Sequence, residues 1–343
     1  MNRPQLVETA RALLIKGKGL LAIDESNSTC DTRFAKVGIP QTVVARREYR
    51  ELILTTDGLG SSISGVILYD ETLRQHAADG RSFLEVLSGA GIIAGIKVDM
   101  GAKPLAGAAG EKVTEGLDGL RDRLLAYFKM GARFAKWRAV IAVGEGLPSR
   151  GCIEANAHAL ARYAALCQEA GIVPVVEPEV LMDDGHTLQR CRAVTEACLH
   201  AVFDQLRSQR VLLEGMILKP NMVLPGLACP QQESVKEVAA ATVECLLECV
   251  PAAVPGIAFL SGGQAGALAA ARLNAMHVAS GSVPARLPWA LTFSFGRAIQ
   301  EPGLGIWRGE KQNRGTAQQA LLHRAQCSAA ASQGEYQATM ERQ

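Results

Sequence analysis

The chain has 343 residues, 48% hydrophobic and 20% charged, an ordinary globular balance with ample core material; its length admits two average domains or one large barrel. A net charge of +2 gives no sign of a nucleic-acid face or an acidic tail, and no apolar window reaches membrane-spanning length. Nine scattered cysteines, odd in number and without a C-x-x-C pair, argue against a disulfide framework and for reduced thiols in a cytoplasmic protein.

The N-terminus, Met1-Asn2-Arg3-Pro4-Gln5, has neither an apolar signal core nor an Arg- and Ser-rich leader, and an N-terminal helix is expected before the first strand. Short apolar, β-branched segments then recur at 19–24, 65–69, 91–98, 133–140, 172–178, 212–219, 255–260 and 290–295. Stretches of helical period lie between them, at 43–55, 116–130, 153–170, 186–207, 234–249 and 265–275. Ser149 and Ser234 stand as helix start signals. Eight strands alternating with helices predict a single-domain (β/α)8 barrel of the TIM type. An open doubly wound sheet is the competing architecture, but no G-x-G-x-x-G follows the first strand. The stretch 302–314 interrupts the rhythm. Residues 1–331 are read as the barrel with its terminal helices, and 332–343 as a short mobile tail.

Barrel chemistry sits at the C-terminal ends of the strands, so those ends carry the functional reading. The first ends at Asp24-Glu25-Ser26 and the third at Lys97-Val98-Asp99. The fourth carries Lys136-Trp137-Arg138, the fifth Glu177-Pro178-Glu179, and the sixth ends at Lys219. Residues two apart share a strand face, so Lys136 and Arg138 point inward together, as do Glu177 and Glu179. Each pair alone would be an ordinary solvated stripe. A barrel interior has no solvated face, and charges buried there need partners. Lys219 follows the apolar Met216-Ile217-Leu218 and precedes Pro220, which cannot donate to a ladder and so ends the strand. Burial disfavours a charged amine, and an uncharged one can attack a carbonyl to form a Schiff base. A lone lysine here would more often snorkel to water; its charged company favours chemistry.

Glycines supply the second clue. Ser261-Gly262-Gly263-Gln264 and Ser294-Phe295-Gly296-Arg297 follow the seventh and eighth strands, where barrels bind phosphate through backbone N–H groups. Gly-Gly alone is an ordinary turn, but Arg297 adds a forked donor. Lys97 and Arg138 form a second cationic group across the barrel, which suits a substrate phosphorylated at both ends.

Seven motifs now carry a resemblance: Asp24-Glu25-Ser26, Gly95-Ile96-Lys97-Val98-Asp99, Phe134-Ala135-Lys136-Trp137-Arg138, Val173-Pro174-Val175-Val176-Glu177-Pro178-Glu179, Leu218-Lys219-Pro220-Asn221-Met222, Leu260-Ser261-Gly262-Gly263-Gln264 and Leu291-Thr292-Phe293-Ser294-Phe295-Gly296-Arg297. In order and spacing, from about Gly19 to Trp307, the chain resembles class I fructose-bisphosphate aldolase. The resemblance implies a metal-independent lyase without cofactor, cleaving fructose 1,6-bisphosphate reversibly to dihydroxyacetone phosphate and glyceraldehyde 3-phosphate, in glycolysis, gluconeogenesis or carbon fixation. It implies Lys219 as Schiff-base nucleophile, Asp24 as base toward the C4 hydroxyl, Glu177 as proton shuttle with Glu179 tuning it, and Lys136 holding transition-state oxygens. Ser261, Gly262, Gly296 and Arg297 would bind the phosphate near C1, and Ser26, Arg33, Lys97 and Arg138 the one near C6, with Gly263 and Ser294 also among the substrate- or phosphate-binding residues. It also implies a homotetramer. Two departures stand out. Animal members end in a tyrosine on a mobile tail that exchanges the C3 proton, whereas here the last tyrosine is Tyr336; and Thr32 stands where many relatives carry a basic residue.

Rival readings remain open. Zinc-dependent aldolases cluster histidines, but His76, His158, His186, His200, His277 and His323 show no H-x-x-x-H spacing, and Cys245 with Cys249 lacks a third ligand. Transaldolase-like dihydroxyacetone transfer would also use a lysine and acids, without needing two phosphate groups. Sedoheptulose 1,7-bisphosphate and fructose 1-phosphate are alternative substrates. A non-enzymatic scaffold fits poorly with an intact Lys219, Glu177 and Asp24.

Overall fold

Eight parallel strands close on themselves in the computed structural model, which describes residues 2–282 and 287–342. They are β1 (Gly19–Ile23), β2 (Ile63–Leu68), β3 (Ile93–Lys97), β6 (Phe134–Ile141), β7 (Val173–Val180), β8 (Ile217–Leu218), β9 (Gly256–Phe259) and β10 (Ala290–Phe295). Between β3 and β6 the chain adds an antiparallel hairpin, β4 (Ala102–Pro104) and β5 (Lys112–Thr114), which the sequence reading had not anticipated. Each barrel strand pairs with its neighbours in chain order, and β1 closes against β10.

Strand alternation explains what fills the barrel. Leu20 and Ala22 of β1, Ile67 of β2, Phe134 of β6, Val173 and Val175 of β7, Ile217 of β8 and Ala258 of β9 form one buried apolar cluster. The helix Arg3–Leu13 closes that end by contributing Leu6, Ala10 and Leu13. Continuing the same alternation upward, Lys97, Lys136, Arg138, Glu177, Glu179 and Ser294 come next on the inner wall and border one cavity. The barrel is therefore a sealed apolar floor beneath a charged mouth. Inner glycines make room for the large rings: a Cβ on Gly95 would lie 2.3 Å from the Phe134 ring. Gly95→Ala is expected to lower stability by about 1–3 kcal/mol through overpacking. The check is a reduced urea midpoint at unchanged m-value.

Helix starts follow the side-chain signals. Ser149 accepts from the Cys152 N–H at the head of Arg150–Glu169, and Ser234 forms a reciprocal capping box with Glu237 before Val235–Cys249. Three expectations are corrected. The sixth strand, expected over 212–219, is only two residues long; a 3-10 turn at Leu213–Gly215 occupies its start, and the Lys219 N–H still donates to the Val176 carbonyl at 2.8 Å. The segment 302–314 begins inside a helix, Arg297–Trp307, that runs through Pro302. Burial of Ile299, Leu304 and Trp307, with Trp307 stacked on Tyr49, outweighs the lost backbone bond. A helix absent from the reading, Asn27–Val37, follows β1; its few apolar residues, chiefly Cys30 and Phe34 facing inward, had hidden its period. After the helix Arg314–Ala331 the tail turns back: the Tyr336 N–H donates to Asn274 and Glu341 pairs with Arg324. Gln343 lies outside the described residues.

Candidate active site

One cavity of about 1290 Å³ opens at the C-terminal ends of the barrel strands. Asp24, Glu177, Glu179, Lys136 and Lys219 line it, together with Ser26, Arg33, Lys97 and Arg138. So do Ser261, Gly262, Ser294, Gly296 and Arg297; of the residues expected from the sequence to act on or bind the substrate, Gly263 alone does not.

Its centre is an alternating set of charges. Lys219 Nζ lies 3.1 Å from Glu177 Oε1, and Glu177 Oε2 lies 3.3 Å from Lys136 Nζ. Lys136 Nζ in turn lies 2.7 Å from Asp24 Oδ2. The side chains of Lys219 and Glu177 are each 4% exposed, so water does little to screen them. Burial alone would raise the Asp24 carboxyl, but Lys136, with help from Lys219 and Lys97, outweighs it and holds the group down at about 2. Burial works against the Lys136 ammonium, but Asp24 and Glu177 raise its pKa above the ordinary lysine range. Lys136 is thus a fixed cation, and Asp24 a fixed anion.

The backbone behind these groups is tied down. Pro220 ends β8 as expected, and its carbonyl accepts from the Leu260 N–H at 3.1 Å. Asn221 is buried; its Oδ1 accepts from the Val180 N–H at 3.0 Å, and its Nδ2 donates to Thr195 Oγ1 at 3.1 Å. It therefore locks the residue after Lys219-Pro220 to the end of the strand carrying Glu177 and Glu179.

Two groups of polar and cationic residues flank the centre. On one side, Gly262 and Gly263 take positive φ values of 59° and 102°, and a Cβ on Gly262 would lie 2.0 Å from Met182 Cε. Only glycine fits there. Neither N–H has an acceptor among the described residues, and the buried Ser294 Oγ has none either. Arg297 makes no ion pair among the described residues, so this side offers unclaimed donors for an anion. On the other side, Ser26 caps the helix Asn27–Val37 by accepting from the Thr29 N–H. The cations there are already engaged. Lys97 Nζ lies 2.7 Å from Asp99 Oδ1, Arg138 Nε pairs with Glu179 Oε2, and Arg33 Nη1 lies 2.5 Å from Glu25 Oε1.

Asp99 and Glu25 stand in the strand-end motifs without an assigned role, and Gln300 is new to the site. Asp99 binds Lys97 and also accepts from the Arg138 N–H at 3.2 Å, joining two cationic residues of the inner wall. Glu25 bridges Arg33 and Arg50, and Gln300 donates to the Ala22 carbonyl and Glu25 while accepting from Arg33 and Tyr49. The available signal was Arg46 and Arg50, one turn apart on the buried face of the helix Val43–Leu54. Tyr336 does not border the cavity; its hydroxyl donates to Glu341 Oε1 at 2.8 Å. Thr32 does border it. Among the described residues no group of three His, Cys, Asp or Glu side chains has a metal-holding arrangement, and no helix is long and apolar enough to cross a membrane.

Comparison with known proteins gives the family and the fold. Residues 5–343 match the family model described as fructose-bisphosphate aldolase class-I. A probable fructose-bisphosphate aldolase class 1 of Xanthomonas axonopodis pv. citri is 55% identical over 98% of this chain and 99% of its own. The fructose-bisphosphate aldolase of Dictyostelium discoideum is 48% identical, covering 97% of this chain and 92% of its own. A solved structure of fructose-bisphosphate aldolase from Plasmodium falciparum, in complex with TRAP and a small-molecule inhibitor, superposes with a TM-score of 0.94 at 43% identity, over 97% of this chain and 95% of that one.

Proposed function

The chain belongs to the class I fructose-bisphosphate aldolase family, and from that premise we propose how its residues divide the work. The activity is reversible aldol cleavage of fructose 1,6-bisphosphate, a lyase reaction of the class that forms a lysine Schiff base without metal. Lys219 is the nucleophile: its Nζ adds to the C2 ketone, and Glu177 Oε1, 3.1 Å away, receives the proton the amine sheds. A second proton from the nitrogen passes to the C2 oxygen and makes it a hydroxyl, the Glu177 carboxyl returns the first proton to that hydroxyl, water leaves, and an iminium remains. The iminium draws electrons from the C3–C4 bond as Asp24 takes the C4 hydroxyl proton. An ordinary alcohol would not yield that proton to so weak a base; it does so here because the bond is breaking as it moves. Lys136 sits between Asp24 and Glu177 and stabilises the oxygens on which charge develops. The aldehyde departs, the enamine is protonated at C3, and hydrolysis frees Lys219.

In this reading Ser261, Gly262, Ser294, Gly296 and Arg297 receive the C1 phosphate. Ser26, Arg33, Lys97 and Arg138 receive the C6 phosphate; Arg33 and Lys97 exchange their carboxylate partners for it, while Glu179 holds Arg138 in position. Residues 1–331 act as one catalytic domain with 332–343 as its tail, in a cytoplasmic homotetramer. The observation that carries the proposal is Glu177 placed between two buried lysines, one of them Lys219. The test is borohydride reduction with dihydroxyacetone phosphate in the presence of a chelator, followed by peptide mass mapping. The expected adduct is on Lys219, at undiminished yield with chelator. Folded, ligand-binding protein without that adduct would remove Lys219 as nucleophile.

A further inference from the structure

Arg272, on the helix Gly266–Ser282, is 4% exposed, yet no carboxylate lies within ion-pair distance of it among the described residues. Its Nη1 donates to Gln264 Oε1 at 2.8 Å, and its buried Nε has no partner. Glu233 contributes only a longer-range attraction. A buried guanidinium served by one neutral amide is costly, so its place calls for a reason beyond packing. The reason lies in what Gln264 does with its other end. With Oε1 committed to Arg272, Gln264 must turn Nε2 the opposite way, and Nε2 donates to the Ser261 carbonyl at 3.0 Å. The Gln264 N–H donates to that carbonyl too, also at 3.0 Å. A trans peptide is planar, with its C=O and the following N–H on opposite sides. Holding the Ser261 carbonyl toward Gln264 therefore aims the Gly262 N–H the other way.

We propose that Arg272 is a positioning residue for phosphate binding: through Gln264 it fixes the Ser261–Gly262 peptide so that the Gly262 N–H faces the cavity as a ready donor to the phosphate at C1. The inference rests on the assignment of this loop to that phosphate. Without Arg272, Gln264 is free to flip its amide and present Oε1 to the Ser261 carbonyl, and the peptide loses its orientation. Arg272→Lys, which keeps one donor to Gln264, restores part of the effect. Gln264→Glu has the converse logic: it pairs Arg272 better but loses the donor to Ser261, so loop orientation fails while the fold stays sound.

The experiment compares wild type, Arg272→Met, Arg272→Lys and Gln264→Glu in fructose 1,6-bisphosphate cleavage and in borohydride trapping. Trapping uses dihydroxyacetone phosphate and, separately, unphosphorylated dihydroxyacetone. Arg272→Met and Gln264→Glu are expected to raise KM about tenfold, the loss of one charge-supported hydrogen bond, with kcat within about threefold of wild type. The concentration needed to trap dihydroxyacetone phosphate rises in parallel, that for dihydroxyacetone stays put, and Arg272→Lys falls between. If Arg272→Met does not fold, Gln264→Glu carries the test alone. Wild-type KM in Gln264→Glu, or equal losses with both ketones, overturns the inference. Wild-type protein that traps both ketones at the same concentration overturns the phosphate assignment itself, and this inference with it.

Discussion

Lys219→Met is expected to abolish cleavage, by at least about 10⁴-fold, and to leave no borohydride adduct anywhere in the chain. Two buried lysines face the cavity, so the choice between them has to be argued. Lys136 lies within 3.3 Å of two carboxylates, Asp24 and Glu177, which hold it as an ammonium and leave it no lone pair to donate. Lys219 faces one carboxylate, and that carboxylate is the acceptor its proton needs. Methionine keeps the length and the apolar stem of lysine, so the inner wall is not emptied. Glu177 loses one partner but keeps Lys136, so the fold should survive with a penalty of about 1–2 kcal/mol. Near-UV circular dichroism and a urea titration check that arm, and stopped assays at high enzyme concentration check the other. An adduct on Lys136 in the variant, or turnover within a hundredfold of wild type, would move the nucleophile away from Lys219.

The inner-wall residues were legible in the sequence because alternation is local: Lys136 with Arg138 and Glu177 with Glu179 need only the two-residue period and a closed barrel to meet. Which charge meets which was not legible. The cations Lys97 and Arg138 read as free for phosphate, yet Asp99 and Glu179 already hold them. Gln300 and Glu25 are 275 residues apart and touch only because the barrel closes β10 onto β1. No periodicity reports such a contact, and the donor set around Arg33 stayed hidden with it. Pro302 misled for the complementary reason: a local breaker signal was overruled by the apolar face of Arg297–Trp307, whose partners Phe34 and Tyr49 lie far off in sequence. Arg272 is the same lesson at the scale of one side chain. Its sequence neighbourhood reads as a plain helix, and its meaning depends on where Gln264 points.

Lys136→Met should show the second large effect, in both rate and stability, and its pH dependence separates the two. Removing the cation leaves Asp24 and Glu177 facing each other across a site with few other counter-charges. Breaking a buried pair in this way costs about 3–5 kcal/mol at neutral pH. Loss of the group that stabilises developing charge should lower kcat by about 10²–10³-fold or more. In the wild type Asp24 is depressed from 3.8 to about 2. A depressed carboxyl contributes stability that is fully present above its unfolded value and is lost as pH falls through the folded one. The window is therefore about pH 4 down to about 2, and the contribution is on the order of 2 kcal/mol. In the variant Asp24 no longer has its closest cation, so its carboxyl rises and this contribution shrinks or vanishes. The stability gap between the two proteins should therefore be widest from pH 5 to 8 and narrow steadily below pH 4, where the wild type loses what the variant never had. Urea midpoints measured across that range give the gap directly. A gap that is constant with pH would mean that Lys136 acts through packing alone, and that the depressed Asp24 owes its state to Lys219 and Lys97.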